Sequence, residues 1–98
     1  MANSFVKNVT TAGTAERISA STILVSSVTF RAKKGNTNDI YLGDADVANT
    51  YPDLDANQTI TFEAPMYSGN HTGIDLRDIW IDVDTSGEGV DVFYQEIG

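Results

Sequence analysis

The chain has 98 residues, of which 41% are hydrophobic and 20% charged, a composition that supports one folded domain and argues against intrinsic disorder. It contains no cysteine, which excludes disulfides and thiolate metal sites. Its net charge of −8 argues against nucleic acid as a partner, because phosphate binding requires a positive surface.

The charges are unevenly distributed along the chain. Residues 1–34 hold five Lys and Arg against one Glu, a net of +4, whereas residues 35–98 hold one Arg against thirteen carboxylates, a net of −12. Basic and acidic regions in one molecule suit salt bridges within the fold or between copies of it.

The N-terminal sequence MANSFVKNVT lacks the basic start and the apolar run of a secretory signal. No window approaches the roughly 20 apolar residues of a membrane span. We therefore expect assembly in a cytoplasm and no membrane partner. We expect residues 1–14 to form an N-terminal arm or first strand and residues 15–98 to form a single domain.

Alternation of apolar and polar residues dominates the rest of the chain and predicts strands. Short alternating runs separated by Gly, Asn, Asp and Pro, with no helical stripe, favour an all-β fold, either a sandwich or a small barrel. We predict an antiparallel β-sandwich of jelly-roll or Ig-like topology. The predicted strands lie in TILVSSVTFRAK (22–33), DIYLG (39–43), QTITFEA (58–64), DIWIDVD (78–84) and GVDVFYQ (89–95).

The first predicted hairpin turns over the sequence GNT, residues 35–37. Pairing Lys33 with Asp39 places Arg31 opposite Tyr41 and aligns apolar residues with apolar ones, as cross-strand pairing prefers. Its basic and acidic flanks are explained first as hairpin chemistry and second as contacts with neighbouring copies.

The second predicted hairpin turns over TSGE, residues 85–88, and pairs Val83 with Val90. On its other face Trp80 stands opposite Phe93, and Asp82 stands opposite Asp91. Two like charges and two large aromatics on one exposed face are unfavourable unless something covers them. Either another part of the domain covers this face, with Arg31 or Lys33 reaching the aspartates, or a partner does, with Trp80 as its anchor.

No motif for catalysis stands out, and we expect no enzyme and no cofactor. The single histidine, His71, lies in the loop-like sequence SGNHTG within the longest irregular stretch, residues 63–75, and excludes a multi-histidine metal centre. The sequence DVDTSGEG, residues 82–89, starts like a calcium loop but has Phe93 where a bidentate Glu belongs. A weak surface calcium site formed by Asp82, Asp84 and Asp91 remains an alternative to no metal at all.

Three segments, GNTNDIYLGDADV, LDANQTITFE and LRDIWIDVDTSGEGVDVFY, resemble a pattern common among small virion structural proteins of tailed bacteriophages. The resemblance spans roughly residues 15–96. It implies a β-sandwich that is part of the particle, as a capsid decoration (cement) protein or a module of a head fibre or tail. The matched residues are turn and core positions: Gly35, Asn36, Ile40, Tyr41, Gly43, Ile79, Trp80, Gly87 and Val90.

Because the chain runs from Met1 to Gly98 and ends just past the last predicted strand, we expect no fibre stalk, which favours decoration of the capsid surface. The implied partners are the major capsid protein or other virion proteins, and copies of the chain itself, a trimer being one option. The alternative is a carbohydrate- or receptor-binding module of a head fibre, tail or baseplate, with Tyr67, Trp80 and Tyr41 stacking on sugars. The candidate interface residues are Phe5, Val6, Lys7, Arg31, Lys33, Met66, Tyr67, His71, Trp80 and Phe93.

Overall fold

The computed structural model describes residues 2–43, 53–63, 66–67, 70–71 and 73–96. These residues form eleven strands and one short 3-10 helix, Leu76–Asp78. All five strands predicted from alternation are present. The strands are β1 (Ala2–Asn8), β2 (Glu16–Arg17), β3 (Leu24–Ala32), β4 (Ile40–Gly43), β5 (Asp53–Leu54), β6 (Thr59–Glu63), β7 (Met66–Tyr67), β8 (Asn70–His71), β9 (Ile74–Asp75), β10 (Trp80–Val83) and β11 (Gly89–Glu96).

The strands form two packed antiparallel sheets, so the predicted all-β sandwich is confirmed. Sheet A has the order β1-β11-β3-β6, with β9 pairing the start of β3, and sheet B has the order β2-β10-β4-β5. The remaining strands, β7 and β8, pair only with each other. No helix in the described part of the chain is long and apolar enough to cross a membrane.

The core lies between the two sheets, where alternate residues of long strands such as β3 and β11 point inward. Phe30 and Val92 from sheet A and Ile40 and Ile81 from sheet B are fully buried. Burial of each such side chain stabilises the fold by about 1.5–3 kcal/mol relative to exposure. The core also contains Val9, Ile18, Val25, Val28, Ala32, Leu76, Val83 and Val90.

The first predicted hairpin is wrong, because β3 and β4 belong to different sheets. Residues 33–39 cross from one sheet to the other instead of turning back beside β3. Arg31 therefore lies beside Asp91 and Thr59, its Cα partners on β11 and β6, and not beside Tyr41. The inward positions of Phe30 and Ala32 were nevertheless predicted correctly, since alternation determines a strand's face but not its neighbour.

The second predicted hairpin is wrong for the same reason. Its two strands, β10 and β11, lie in sheets B and A, and residues 84–88 cross between them. Val83 and Val90 are both buried, on opposite walls of one core. Trp80 and Phe93 consequently stand on opposite outer faces of the sandwich, and Asp82 is not beside Asp91.

Candidate functional site

The outer face of sheet A carries the exposed residues of β1 and β11. Val6 is 54% exposed and Phe93 is 44% exposed on this face. Phe5 points the other way and packs edge-on against Tyr94, with ring centroids 5.8 Å apart.

Lys7 Nζ lies 2.8 Å from Glu16 Oε1, and this ion pair joins the β1 edge of sheet A to the β2 edge of sheet B. The hydrogen bond from Lys7 also holds the pKa of Glu16 below its usual value.

Arg31 connects Asp91 to Phe93 on the same face. Its Nε and Nη2 donate to Asp91 Oδ2 at 3.1 and 2.7 Å. Its guanidinium carbon lies 5.8 Å from the centroid of the Phe93 ring. The expectation that Arg31 or Lys33 reaches an aspartate thus holds for Arg31 and Asp91, whereas Lys33 Nζ donates to Asn8 Oδ1 at 3.1 Å.

A shallow cleft of about 350 Å³ opens on the outer face of sheet A around Phe93. Ser4, Phe93, Thr29 and Thr61 form one row across β1, β11, β3 and β6, each residue being the Cα partner of the next. The hydroxyls of Thr29 and Thr61 are hydrogen-bonded at 2.8 Å. The cleft is lined by Asn3, Ser4, Ser27, Thr29, Phe93, Tyr94 and Gln95, none of which is charged at neutral pH.

Trp80 lies on the outer face of sheet B, where Arg17 and Gly43 are its Cα partners on either side. The Arg17 guanidinium carbon lies 4.7 Å from the centroid of the Trp80 rings. Arg17 Nη1 also donates to the carbonyl oxygen of Arg77 at 2.8 Å, which fixes the guanidinium above the indole. Trp80 is therefore half-buried, partly covered by its own domain and partly open to a partner.

The three aspartates proposed for calcium are not brought together, because each has a different partner. Asp82 is 5% exposed and accepts hydrogen bonds from the backbone N–H groups of Gly13 and Val83. Asp91 binds Arg31. Asp84 accepts a 2.7 Å hydrogen bond from the Tyr41 hydroxyl, which raises the pKa of Tyr41 to about 12.

A different carboxylate cluster lies at the β4–β5 edge of sheet B. Oxygen atoms of Asp39, Asp53 and Asp55 lie within 4.8 Å of one another. Hydrogen bonding with Asp55 and Asp53 favours the protonated form of Asp39 and raises its pKa to about 7. Among the described residues, this is the group whose oxygens could hold a hard cation. No local sequence pattern indicates this cluster, because the two segments that carry its residues come together only in the fold.

The last group of predicted interface residues lies on β7 and β8. Met66 is the Cα partner of His71, and Tyr67 that of Asn70. The side chains of these four residues are outside the described part of the structure.

Two crossing loops, residues 33–39 and 84–88, interlock at one end of the sandwich. Thr37 donates to Glu88 Oε2 from its backbone nitrogen at 2.7 Å and from its hydroxyl at 2.9 Å. Asn38 N–H reaches the other Glu88 oxygen, and Asn36 Nδ2 donates to the carbonyl oxygen of Gly89 at 2.8 Å. Burial alone would raise the pKa of Glu88, but the bonds from Thr37 hold it below its usual value.

Sequence reasoning missed Arg17 and Glu88, the two residues that hold Trp80 and the interlocked loops. Neither has a local signal, because their partners lie 50 or more residues away in the chain. Comparison with protein-family models, curated proteins and solved structures finds no match to this chain. A functional assignment therefore depends on its own residues and geometry.

Proposed function

We propose that the chain is a non-enzymatic structural protein of a tailed-bacteriophage virion, a decoration protein that binds the outside of the capsid and stabilises the head. The observation that carries the proposal is the interlocking of residues 33–39 with residues 84–88. These loops, together with Gly89 at the start of β11, contain the G-N-T and G-E-G segments of the virion-protein pattern. Thr37 and Asn38 donate to the Glu88 carboxylate and Asn36 donates to the Gly89 carbonyl oxygen, so these polar groups are engaged in holding the framework together.

The attachment surface in this proposal is Trp80 with Arg17 above it. Trp and Arg are the residue types that concentrate binding energy at protein interfaces. Because Arg17 is already fixed by the Arg77 carbonyl, little side-chain entropy remains to be lost on binding. The proposed partners are the major capsid protein or other virion proteins.

Many copies on one particle would make weak contacts effective. A decoration protein repeats the same interface over the whole lattice, and binding sites linked in this way gain avidity without new contacts. Self-association of the chain, as a trimer or another closed oligomer, belongs to the same proposal, and it would link neighbouring shell subunits directly.

The test is sedimentation of phage particles that carry this chain, purified on a density gradient and analysed by mass spectrometry. We expect the chain in the particle fraction, at a copy number comparable to that of the shell subunits. Purified Trp80→Ala should lose binding to particles stripped of the wild-type chain. Absence of the wild-type chain from pure particles would contradict the proposal.

Leu24→Ala is the matched control. Leu24 is 48% exposed on β3 of sheet A, whereas Trp80 lies on β10 of sheet B, so its truncation removes apolar surface without removing the contact between Arg17 and Trp80. This variant should bind particles as the wild type does. Equal loss of binding in both variants would show that binding follows general surface hydrophobicity and not Trp80.

A further inference from the structure

We propose that the cleft around Phe93, on the outer face of sheet A, binds a neutral oligosaccharide. This site lies on the opposite side of the sandwich from Trp80. It goes beyond the decoration role, since one face would hold the particle and the other would face outward with a sugar site.

The geometry of the cleft suits a sugar ring. Phe93 is 44% exposed and stands between Ser4 on β1 and Thr29 on β3. Neighbouring strands are about 4.8 Å apart, so both hydroxyls lie within reach of groups on a ring seated over Phe93. An aromatic face packs against the C–H face of a pyranose, while hydroxyls at the ring edge take hydrogen bonds.

The polar groups around the ring add directional recognition. Ser27 and Gln95 are Cα partners in the next row of the same face and line the cleft. Together with Ser4 and Thr29 they supply three hydroxyls and one amide, groups that both donate and accept hydrogen bonds. The volume of about 350 Å³ falls within the range of small-molecule sites, roughly 300–1,000 Å³.

The distribution of charge around the cleft favours a neutral ligand. The seven lining residues are uncharged in a chain of net charge −8, and the neighbouring Arg31 and Asp91 neutralise each other. Two carboxylates stand beside the cleft: Glu96, which accepts a hydrogen bond from the Asn3 side chain, and Glu63, the Cα partner of Ser27. They would repel sialic or uronic acids and leave neutral sugars unaffected.

The Phe93 ring is held in place before any ligand arrives. Arg31, anchored by two hydrogen bonds to Asp91, keeps its guanidinium 5.8 Å from the ring centroid. A fixed ring loses less conformational entropy on binding, which favours even a shallow site.

A second copy of the chain is a weaker occupant of this face. Four strands about 4.8 Å apart and about seven residues long give a face of roughly 450 Å² per copy. Stable complexes bury about 800 Å² per partner. The face is thus too small to hold a dimer by itself but large enough for two or three sugar rings.

The test begins with an array of neutral oligosaccharides of glucose, galactose, mannose and N-acetylglucosamine, beside matched members ending in sialic or uronic acid. The strongest neutral member is then titrated into the ¹⁵N-labelled chain. We expect shifts of the Ser4, Ser27, Thr29 and Gln95 amides and no change in the fluorescence of Trp80, the single tryptophan. Failure of every neutral member to bind, a preference for acidic members, or shifts centred on Trp80 would overturn the proposal.

Substitutions at Phe93 separate stacking from a protein contact. Phe93→Tyr should retain affinity, whereas Phe93→Leu, which keeps apolar area but loses the aromatic face, should lose it about tenfold. Val6→Ala is the matched control, since Val6 is exposed on the same face but does not line the cleft; it should bind normally. Equal affinity of the Leu and Tyr variants, or concentration-dependent dimerisation lost in Phe93→Leu, would refute the sugar site and favour a second copy. If decoration of particles fails while the sugar titration succeeds, only the proposed function falls.

Discussion

The two outer faces of the sandwich are built from strands with the same alternation of apolar and polar residues. They differ in charge and in how far other segments of the chain cover them. On sheet A the row of Ser4, Phe93 and Thr29 borders an open, uncharged cleft. On sheet B the connection from β1 to β2 lies over the strands, and Gly13 N–H donates to the buried carboxylate of Asp82 at 3.0 Å. The outward residues of a strand are therefore exposed or buried according to segments distant in the chain.

The exposed aromatic residues of the two faces, Phe93 and Trp80, differ in the same way. Phe93 keeps 44% of its surface exposed, with one cation beside the ring. Trp80 has Arg17 lying over it and is half-buried. This contrast is the reason why we propose a polar ligand for the sheet A face and a protein partner for the sheet B face.

The largest loss of stability is expected from Gly89→Ala, which should detach the edge strand β1 from sheet A. A Cβ at Gly89 would overlap the Lys7 carbonyl oxygen, and the backbone of β1 would have to shift. We expect a loss of at least about 3 kcal/mol of unfolding free energy, measured by urea denaturation. Gly35→Ala is the control, because a Cβ added there would meet no atom within 4 Å beyond its chain neighbours, and it should change stability by less than about 0.5 kcal/mol. Equal stability of the two variants would contradict the β1–β11 pairing.

The next largest effect is expected on sheet B, from Asp82→Ala. This change removes two hydrogen bonds to a buried carboxylate, and we expect it to cost about 2 kcal/mol. Trp80 fluorescence should report the loosened connection, while the amide signals of the sheet A cleft stay in place. Asp78→Ala, at an exposed carboxylate of the 3-10 helix, should be nearly neutral. A loss in Asp82→Ala no greater than in this control would show that Asp82 does not fix the connection.

A smaller effect is expected for the ion pair beside the cleft. The side chains of Arg31 and Asp91 are 43% and 20% exposed, so solvent screens their attraction. A double-mutant cycle with Arg31→Ala and Asp91→Ala should give a coupling of about 0.5–1 kcal/mol that decreases with added salt. Zero coupling at low salt would mean that Arg31 does not position Phe93 through Asp91.

The smallest change in stability is expected from pH, at the carboxylate cluster of sheet B, because two of its three carboxylates are exposed and solvent screens their interaction. The pKa of Asp39 is raised to about 7 from a usual value of 3.8. The folded state thus binds this proton more tightly than the unfolded state, and the resulting stability is present below about pH 4 and is lost as the pH rises to about 7. Asp39→Asn cannot titrate, so the wild type should lose stability relative to this variant between pH 4 and 7 and no further above pH 8. Parallel urea midpoints for the two proteins over this range would contradict the raised pKa.

Much of the fold could be predicted from sequence, and the wrong part has a physical explanation. Alternation correctly placed Val28 and Phe30 on the inner face of β3, and Val90 and Val92 on that of β11. It could not identify strand neighbours, because a loop of five to seven residues can either turn back within a sheet or cross to the opposite sheet. Both routes bury the same side chains, so the hydrophobic pattern is identical.

The candidate sites were less accessible to sequence reasoning. The Trp80 surface needs Arg17, and the cleft needs β1 beside β11, pairings between residues more than 60 positions apart. Both sites depend on close contacts between particular groups from distant parts of the chain. No local sequence pattern indicates which distant segments come into contact. The attraction between Arg31 and Asp91 was predictable as a charge pairing, but its role beside Phe93 depends on the register of β3 and β11.

The position of β11 also determines the order in which sheet A can be assembled. β11 lies between β1 and β3, yet it is translated after the ten other strands of the described residues. A nascent chain on the ribosome therefore holds β1 and β3 before the strand that joins them is made, and sheet A closes only after β11 has been translated. Such late, long-range pairing is typical of β-proteins that fold over milliseconds to seconds.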